Sequence, residues 1–218
     1  MTGPGTGTVA TIADLGVVPV VTFTDPALAE PVFEALCSGG LPVVEVTLRA
    51  PGAIDVVGRL VDAFPDAIVG AGTVLSVEDA TAVMDNGARF VVSPLTDPAV
   101  MATCLRRGVP VVPGACTPTE VHKATEAGAE LVKFFPAEPM GGRRFLQAVA
   151  GPLPAARFVP TGGLNAGNLA GYAALPNVAA CGGSWMVPSS ALAERRYGDV
   201  SKLAAEALAI VAQARGRG

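Results

Sequence analysis

A single-domain α/β protein, a (β/α)8 TIM barrel with a short N-terminal extension, is the architecture this sequence predicts, and three observations lead there. One phrase recurs along the chain: a short β-branched run, a turn, then an Ala-rich segment of helical length. Strict alternation of apolar strand and helix implies parallel strands joined by crossover helices. The phrase occurs eight times in 218 residues, which suits one barrel domain of roughly 200–250 residues. Finally, the spacing leaves no room for a linker between domains. A doubly wound open sheet satisfies the same alternation, because strand count alone does not prove closure.

Each unit has its own warrant. The expected strands are V-V-P-V-V-T-F at 17–23, P-V-V-E-V-T at 42–47, A-I-V-G-A-G at 67–72 and R-F-V-V-S at 89–93. P-V-V-P-G at 110–114, E-L-V-K-F-F-P at 130–136, R-F-V-P-T-G-G at 157–163 and V-A-A-C-G-G at 178–183 complete the series. Helices are expected near 26–38, 53–63, 77–86, 98–107, 118–127, 141–150, 166–174 and 199–214. Asp25, Asp97 and Thr117 each precede a proline, and Glu120 follows Thr117 by three residues, which are helix-start signals. Gly39, Gly87, Gly108 and Gly128 stand where left-handed C-caps are wanted. The first eight residues and the closing A-R-G-R-G read as unstructured ends.

Composition narrows the partners. Half the residues are hydrophobic, 16% are charged and the net charge is −4, which excludes a disordered chain and argues against nucleic acid as the main partner. Mean hydropathy is +0.49, and residues 158–193 contain no charge. Glycines and prolines interrupt that run throughout, so no membrane span is expected. M-T-G-P-G-T-G-T has neither a basic stretch nor an apolar core, so no secretory leader is expected. Four well-separated cysteines without C-x-x-C spacing read as buried thiols in a reducing compartment, hence a cytoplasmic protein.

The inward faces carry the chemistry. A barrel strand sends alternate side chains inside. At 43–49 one face holds Val44, Val46 and Leu48, while the other holds Val43, Glu45, Thr47 and Arg49. An acid, a hydroxyl and a guanidinium thus rise toward the strand's C-terminal end, where barrel sites form. A purely structural reading is a buried Glu45–Arg49 ion pair. Lys133 is one of three lysines and sits among Leu131, Val132, Phe134 and Phe135. Burial, and a neighbouring cation such as Arg49, favour the free amine, which is the Schiff-base-forming nucleophile. The competing reading lets its ammonium snorkel to water along an apolar stem, but a place in one layer with Glu45 and Arg49 favours the chemical reading. T-G-G at 161–163 and G-G-S at 182–184 end the last two strands. Glycines there let backbone N–H groups approach an anion, where many barrels hold phosphate.

What is missing also discriminates. His122 is the single histidine and reads as a surface residue beside Lys123, whereas zinc-dependent aldolases and metal-dependent epimerases need several such ligands. Glu45 is the one acid clearly facing inward, which leaves little for a magnesium site. No P-loop and no dinucleotide glycine fingerprint follows a strand.

V-E-V-T-L-R at 44–49, V-G-A-G-T-V at 69–74, V-K-F-F-P-A-E at 132–138, P-T-G-G at 160–163 and G-G-S-W at 182–185 together resemble the KDPG/KHG aldolases. These are class I 2-keto-3-deoxy-6-phosphogluconate and 4-hydroxy-2-oxoglutarate aldolases, and the likeness runs from residue 17 to the last helix. S-P-L-T-D-P at 93–98 departs from the S-P-G-L form of relatives. The resemblance implies that Lys133 forms the Schiff base and Glu45 is the general acid/base. It implies that Arg49 and Thr73 hold a pyruvyl carboxylate, with Pro94 and Thr161 lining the pocket. Gly162, Gly163 and Ser184 match phosphate-binding positions. A small anionic substrate, no metal or organic cofactor, and a homotrimer are also implied. Within the same chemistry, 4-hydroxy-2-oxoglutarate or a phosphogalactonate epimer is an alternative substrate. Outside it stand a phosphosugar isomerase or epimerase and a silent barrel that only binds an anionic metabolite.

Overall fold

The computed structural model describes residues 4–216. Its strands are β1 (Val17–Val21), β2 (Val43–Thr47), β3 (Ile68–Gly72), β4 (Val91–Val92), β5 (Val111–Val112), β6 (Gly114–Ala115), β7 (Val132–Phe134), β8 (Phe158–Pro160) and β9 (Cys181–Gly183). The helices are α1 (Pro4–Leu15), α2 (Ala29–Ser38), α3 (Ala53–Ala63), α4 (Val77–Asp85), α5 (Pro98–Arg106), α6 (Pro118–Glu126), α7 (Gly142–Ala150), α8 (Ala166–Ala173), α9 (Ser189–Ala193) and α10 (Tyr197–Ala214). Every strand pairing is parallel, as the crossovers require.

The parallel sheet curls. One sheet runs in the order β5-β4-β3-β2-β1-β9 and another β6-β7-β8. Eight uninterrupted strands were expected, and the difference has a local cause. Pro113 lies between β5 and β6 and has no N–H for a ladder, although its carbonyl accepts from the Lys133 N–H at 2.8 Å. At the other side, bridges Phe158↔Val178 and Thr161↔Gly182 link β8 to the β9 segment.

Expected helix signals are mostly realised. Asp97 Oδ1 accepts from the N–H groups of Ala99 at 2.7 Å and Val100 at 3.1 Å. Thr117 and Glu120 form a capping box at α6. Gly39 is a correction: its φ is −81°, and the left-handed position falls to Gly40, φ +87°. Gly39 instead makes room for α10, since a Cβ there would lie 2.4 Å from the Ser201 carbonyl oxygen.

Both chain ends also depart from expectation. Residues 4–8 belong to α1, while 1–3 lie outside the described residues. Glycines 5 and 7 weaken helix propensity, yet α1 forms because Val9 and Ile12, three residues apart, are buried. Ile12 closes the floor of the curled sheet, beside Val18, Phe90, Val92, Val112, Leu131 and Val159. At the other end, Arg215 continues from α10 and donates to the carbonyls of Ala13 at 2.7 Å and Ala179 at 2.6 Å. That part of the tail is tied down, and residues 217–218 lie outside the described range.

Candidate active site

The strand periodicity puts the polar residues on one inner face. Val20 pairs with Glu45 and Glu45 with Gly70, so the acid stands at mid-height of the curl. On the far side Lys133 is registered between Gly114 and Val159. The two side chains meet across the interior: Lys133 Nζ donates to Glu45 Oε1 at 2.9 Å. Lys133 is 6% and Glu45 3% exposed, so the snorkelling reading of Lys133 fails. The Glu45–Arg49 ion pair is likewise corrected, because the partner of Glu45 is Lys133.

Two glycines of β3 make this possible. A Cβ on Gly72 would lie 2.1 Å from Glu45 Oε1, and one on Gly70 would lie 2.3 Å from the Phe90 ring. Hydrogen at both positions lets the carboxylate, and the ring beneath it, fill the interior. Burying such a pair in apolar surroundings costs desolvation, and removing either partner strands the other charge. A buried ion pair of this kind is weak support for stability and is better explained by chemistry.

Above the pair, Arg49 Nε donates to Thr47 Oγ1 at 3.3 Å, and Thr47 Oγ1 shares a hydrogen bond with Thr22 Oγ1 at 2.7 Å. Thr47 is buried and Arg49 exposed, so Nε is held at the cavity wall while the outer guanidinium nitrogens face the opening, where an anion can reach them. Thr73 follows β3 with φ +60°, a left-handed conformation that a β-branched residue adopts only under constraint. The segment after Pro94 is pinned as well: Thr96 Oγ1 donates to the Gly114 carbonyl at 2.9 Å.

The opposite wall is the turn after β8. Thr161 is buried, and a Cβ on Gly182 would lie 2.3 Å from its Oγ1. Gly162 and Gly163 have φ +100° and +87°. Three successive carbonyls of the turn are occupied: Thr161 by the Ala137 N–H at 2.8 Å, Gly162 by the Glu138 N–H at 3.1 Å, and Gly163 by Asn168 Nδ2 at 3.0 Å. Ser184 is exposed at the rim.

All nine residues singled out from the sequence line one cavity of about 400 Å³: Lys133, Glu45, Arg49, Thr73, Pro94, Thr161, Gly162, Gly163 and Ser184. Val20, Thr47, Phe135, Leu164 and Gly183 complete it. Of these, Thr47 was legible from its inward register, whereas Thr22, which braces it from β1's end, carried no signal. A hollow of about 440 Å³ between Ala13, Pro176 and Arg215 pairs no lysine with a carboxylate.

Other nucleophiles are quiet. Burial pushes the Cys104 thiol up to about 11 and that of Cys181 up to about 12, so neither supplies thiolate near neutrality. Only these two cysteines are buried, since Cys37 and Cys116 are half-buried. His122 is exposed on α6. Among the described residues, no three His, Cys, Asp or Glu side chains gather as a metal-ligand set, and no helix is long and apolar enough to cross a membrane.

The comparisons with known proteins converge. The chain is 46% identical over 195 residues to the 2-dehydro-3-deoxy-phosphogluconate aldolase of Treponema pallidum, spanning 89% of this chain and 93% of that protein. Its fold matches KDPG aldolase from Legionella pneumophila, solved with pyruvate captured at low pH as a covalent carbinolamine intermediate, with a TM-score of 0.87 and 37% identity. That match covers 94% of this chain and 97% of the other. The 2-keto-3-deoxy-6-phosphogluconate aldolase of Zymomonas mobilis, solved with 3-phosphoglycerate, matches with a TM-score of 0.85 and 33% identity, over 94% and 95% of the two chains. A sequence model of the KDPG and KHG aldolases covers residues 9–203; the chain belongs to that family.

Proposed function

We propose that this protein is a class I aldolase that cleaves 2-keto-3-deoxy-6-phosphogluconate reversibly to pyruvate and D-glyceraldehyde 3-phosphate. The observation that carries the reading is the buried Lys133–Glu45 contact of 2.9 Å at the base of a polar-rimmed cavity. The ring of pairings, broken only by Pro113 and completed by two bridges, is read as one (β/α)8 barrel with its site at the strands' C-terminal ends.

The chemistry follows from the contact. Lys133, as the free amine, attacks the C2 carbonyl to give a carbinolamine. Loss of water forms a protonated imine. That cation accepts the electrons of the C3–C4 bond as Glu45, directly or through a water, takes the C4 hydroxyl proton. The aldehyde departs, the resulting enamine is protonated at C3, and water hydrolyses the imine to release pyruvate and regenerate Lys133. Arg49, with its Nε on Thr47, and Thr73 are assigned to the pyruvyl carboxylate, with Pro94 and Thr161 flanking it. Gly162, Gly163 and Ser184 are assigned to the phosphate, since the turn's carbonyls are engaged elsewhere and its N–H groups suit an anion. Reductive trapping tests the core of the proposal. Borohydride added to protein saturated with pyruvate leaves one reduced adduct, on Lys133; folded protein without an adduct overturns the mechanism.

Ser184→Ala tests the phosphate assignment. Loss of a hydroxyl hydrogen bond to a charged group raises KM for the phosphorylated substrate by about 10-fold, with little change for 4-hydroxy-2-oxoglutarate. Equal changes on both substrates remove Ser184 from that role. A purely proton-transferring isomerase gives no reason for a buried lysine against Glu45, which disfavours that class. The proposal extends to a cytoplasmic homotrimer, and light scattering checks it: three chains of 21.8 kDa each support it, and a monomer counts against it.

A further inference from the structure

Outside the reacting centre, one ionisable cluster touches the phosphate-assigned turn from behind. Tyr172, on α8, is fully buried, and its hydroxyl donates to Glu138 Oε1. Glu138 follows β7 by four residues and belongs to the same turn as Ala137, so it links three parts of the fold. Its N–H holds the Gly162 carbonyl at 3.1 Å. Its Cγ lies 2.6 Å from where a Cβ on Gly163 would stand, so its stem packs directly beneath that glycine. Its carboxylate reaches the first turn of α7, where a Cβ on Gly142 would lie 3.2 Å from Oε1. A helix N-terminus favours negative charge there. Arg143 is the charged neighbour on α7, with Nη1 against Gly171.

This arrangement has an electrostatic consequence. A phosphate monoester on the cavity side of Gly162 and Gly163 carries close to two negative charges, and a carboxylate on the same turn repels it. The Tyr172 hydroxyl and the α7 N-terminus hold that carboxylate on the turn's outer side. We propose that Glu138 and Tyr172 are positioning residues for the phosphate end of the substrate: they fix the Gly162–Gly163 turn and keep a negative charge turned away from it. They thereby set the preference for phosphorylated over unphosphorylated 2-oxo acids. This inference rests on the phosphate reading of the turn.

The test is Tyr172→Phe, which removes the hydroxyl and keeps the ring. KM for 2-keto-3-deoxy-6-phosphogluconate rises about fivefold, the size of one lost hydrogen bond, while kcat changes less than about twofold. KM for 4-hydroxy-2-oxoglutarate and the yield of borohydride-trapped pyruvate adduct stay put. A merely structural tyrosine lowers Tm and moves both substrates alike, or neither, and either pattern overturns the inference. Should Tyr172→Phe fail to fold, Glu138→Ala keeps the backbone N–H and removes the stem beneath Gly163 together with its charge, so KM shifts for the phosphorylated substrate and stays put for 4-hydroxy-2-oxoglutarate; equal shifts on both overturn the inference. Ser184→Ala run in parallel separates the two levels. If it discriminates between the substrates and neither Tyr172→Phe nor Glu138→Ala does, the positioning role falls and the phosphate site stands. If it does not discriminate, the phosphate reading falls and the inference falls with it.

Discussion

Lys133→Ala abolishes turnover and the borohydride-trapped pyruvate adduct together. Losses on removing a catalytic nucleophile reach about 10⁵-fold or more, and here no second amine is placed to substitute. Lys123 and Lys202 are exposed on α6 and α10, and neither lines the cavity that holds Lys133. The expected loss is therefore all-or-none in the adduct and near-complete in rate. The substitution also removes the partner of Glu45, which is only 3% exposed; stranding one member of a buried pair costs about 3–5 kcal/mol. Circular dichroism and a thermal melt accompany the kinetics for that reason, and Lys133→Met with Glu45→Gln provides a variant with neither buried charge. A folded Lys133→Ala protein that still traps pyruvate would move the nucleophile elsewhere and end the Schiff-base assignment for this residue.

The periodicity of single strands made half of this site readable. Glu45 and Thr47 share a face by the rule of two, and Lys133 stands out as a charge inside an apolar run. The strand order places Lys133 in one layer with Glu45 and Arg49, but which of them it touches is not readable, because the hydrogen bond joins residues 88 positions apart and depends on Gly72 lacking a side chain. The sequence offered Arg49 as the acid's partner because it is near in the chain; the fold supplies Lys133 because it is near in space. Thr73 and Pro94 entered through family resemblance alone, since neither lies on a face that periodicity marks. The left-handed φ of Thr73 is a tertiary fact. The helix α1 was missed for a related reason: its glycines argue against helix locally, and burial of Val9 and Ile12 overrides them. Capping signals performed better because they are local, as Asp97 and the Thr117–Glu120 box attest. Glu138 and Tyr172 had no such local grammar, being joined across 34 residues.

Glu45→Gln is expected to slow cleavage about 10²- to 10⁴-fold, the usual contribution of a positioned acid or base, while leaving pyruvate trapping intact. Glutamine keeps the shape that fits against Gly72, and its amide oxygen still accepts from Lys133 Nζ. It does not take a proton. Imine formation needs the amine and a carbonyl, whereas C3–C4 cleavage and enamine protonation both need a group that exchanges a proton at the substrate. Deuterium exchange at the methyl group of pyruvate in D2O separates these steps. Wild-type protein forms the imine, removes a C3 proton and exchanges it; Glu45→Gln forms the same imine and exchanges slowly. If kcat and exchange both remain within about twofold of wild type, Glu45 serves only as the counter-ion of Lys133, and the proton acceptor must be sought elsewhere in the cavity. Loss of the adduct along with exchange would instead mean that Glu45 acts earlier, by drawing the proton from Lys133 before it attacks. The 2.9 Å bond between them gives the carboxylate access to that proton, and the exchange experiment separates this first duty from the second.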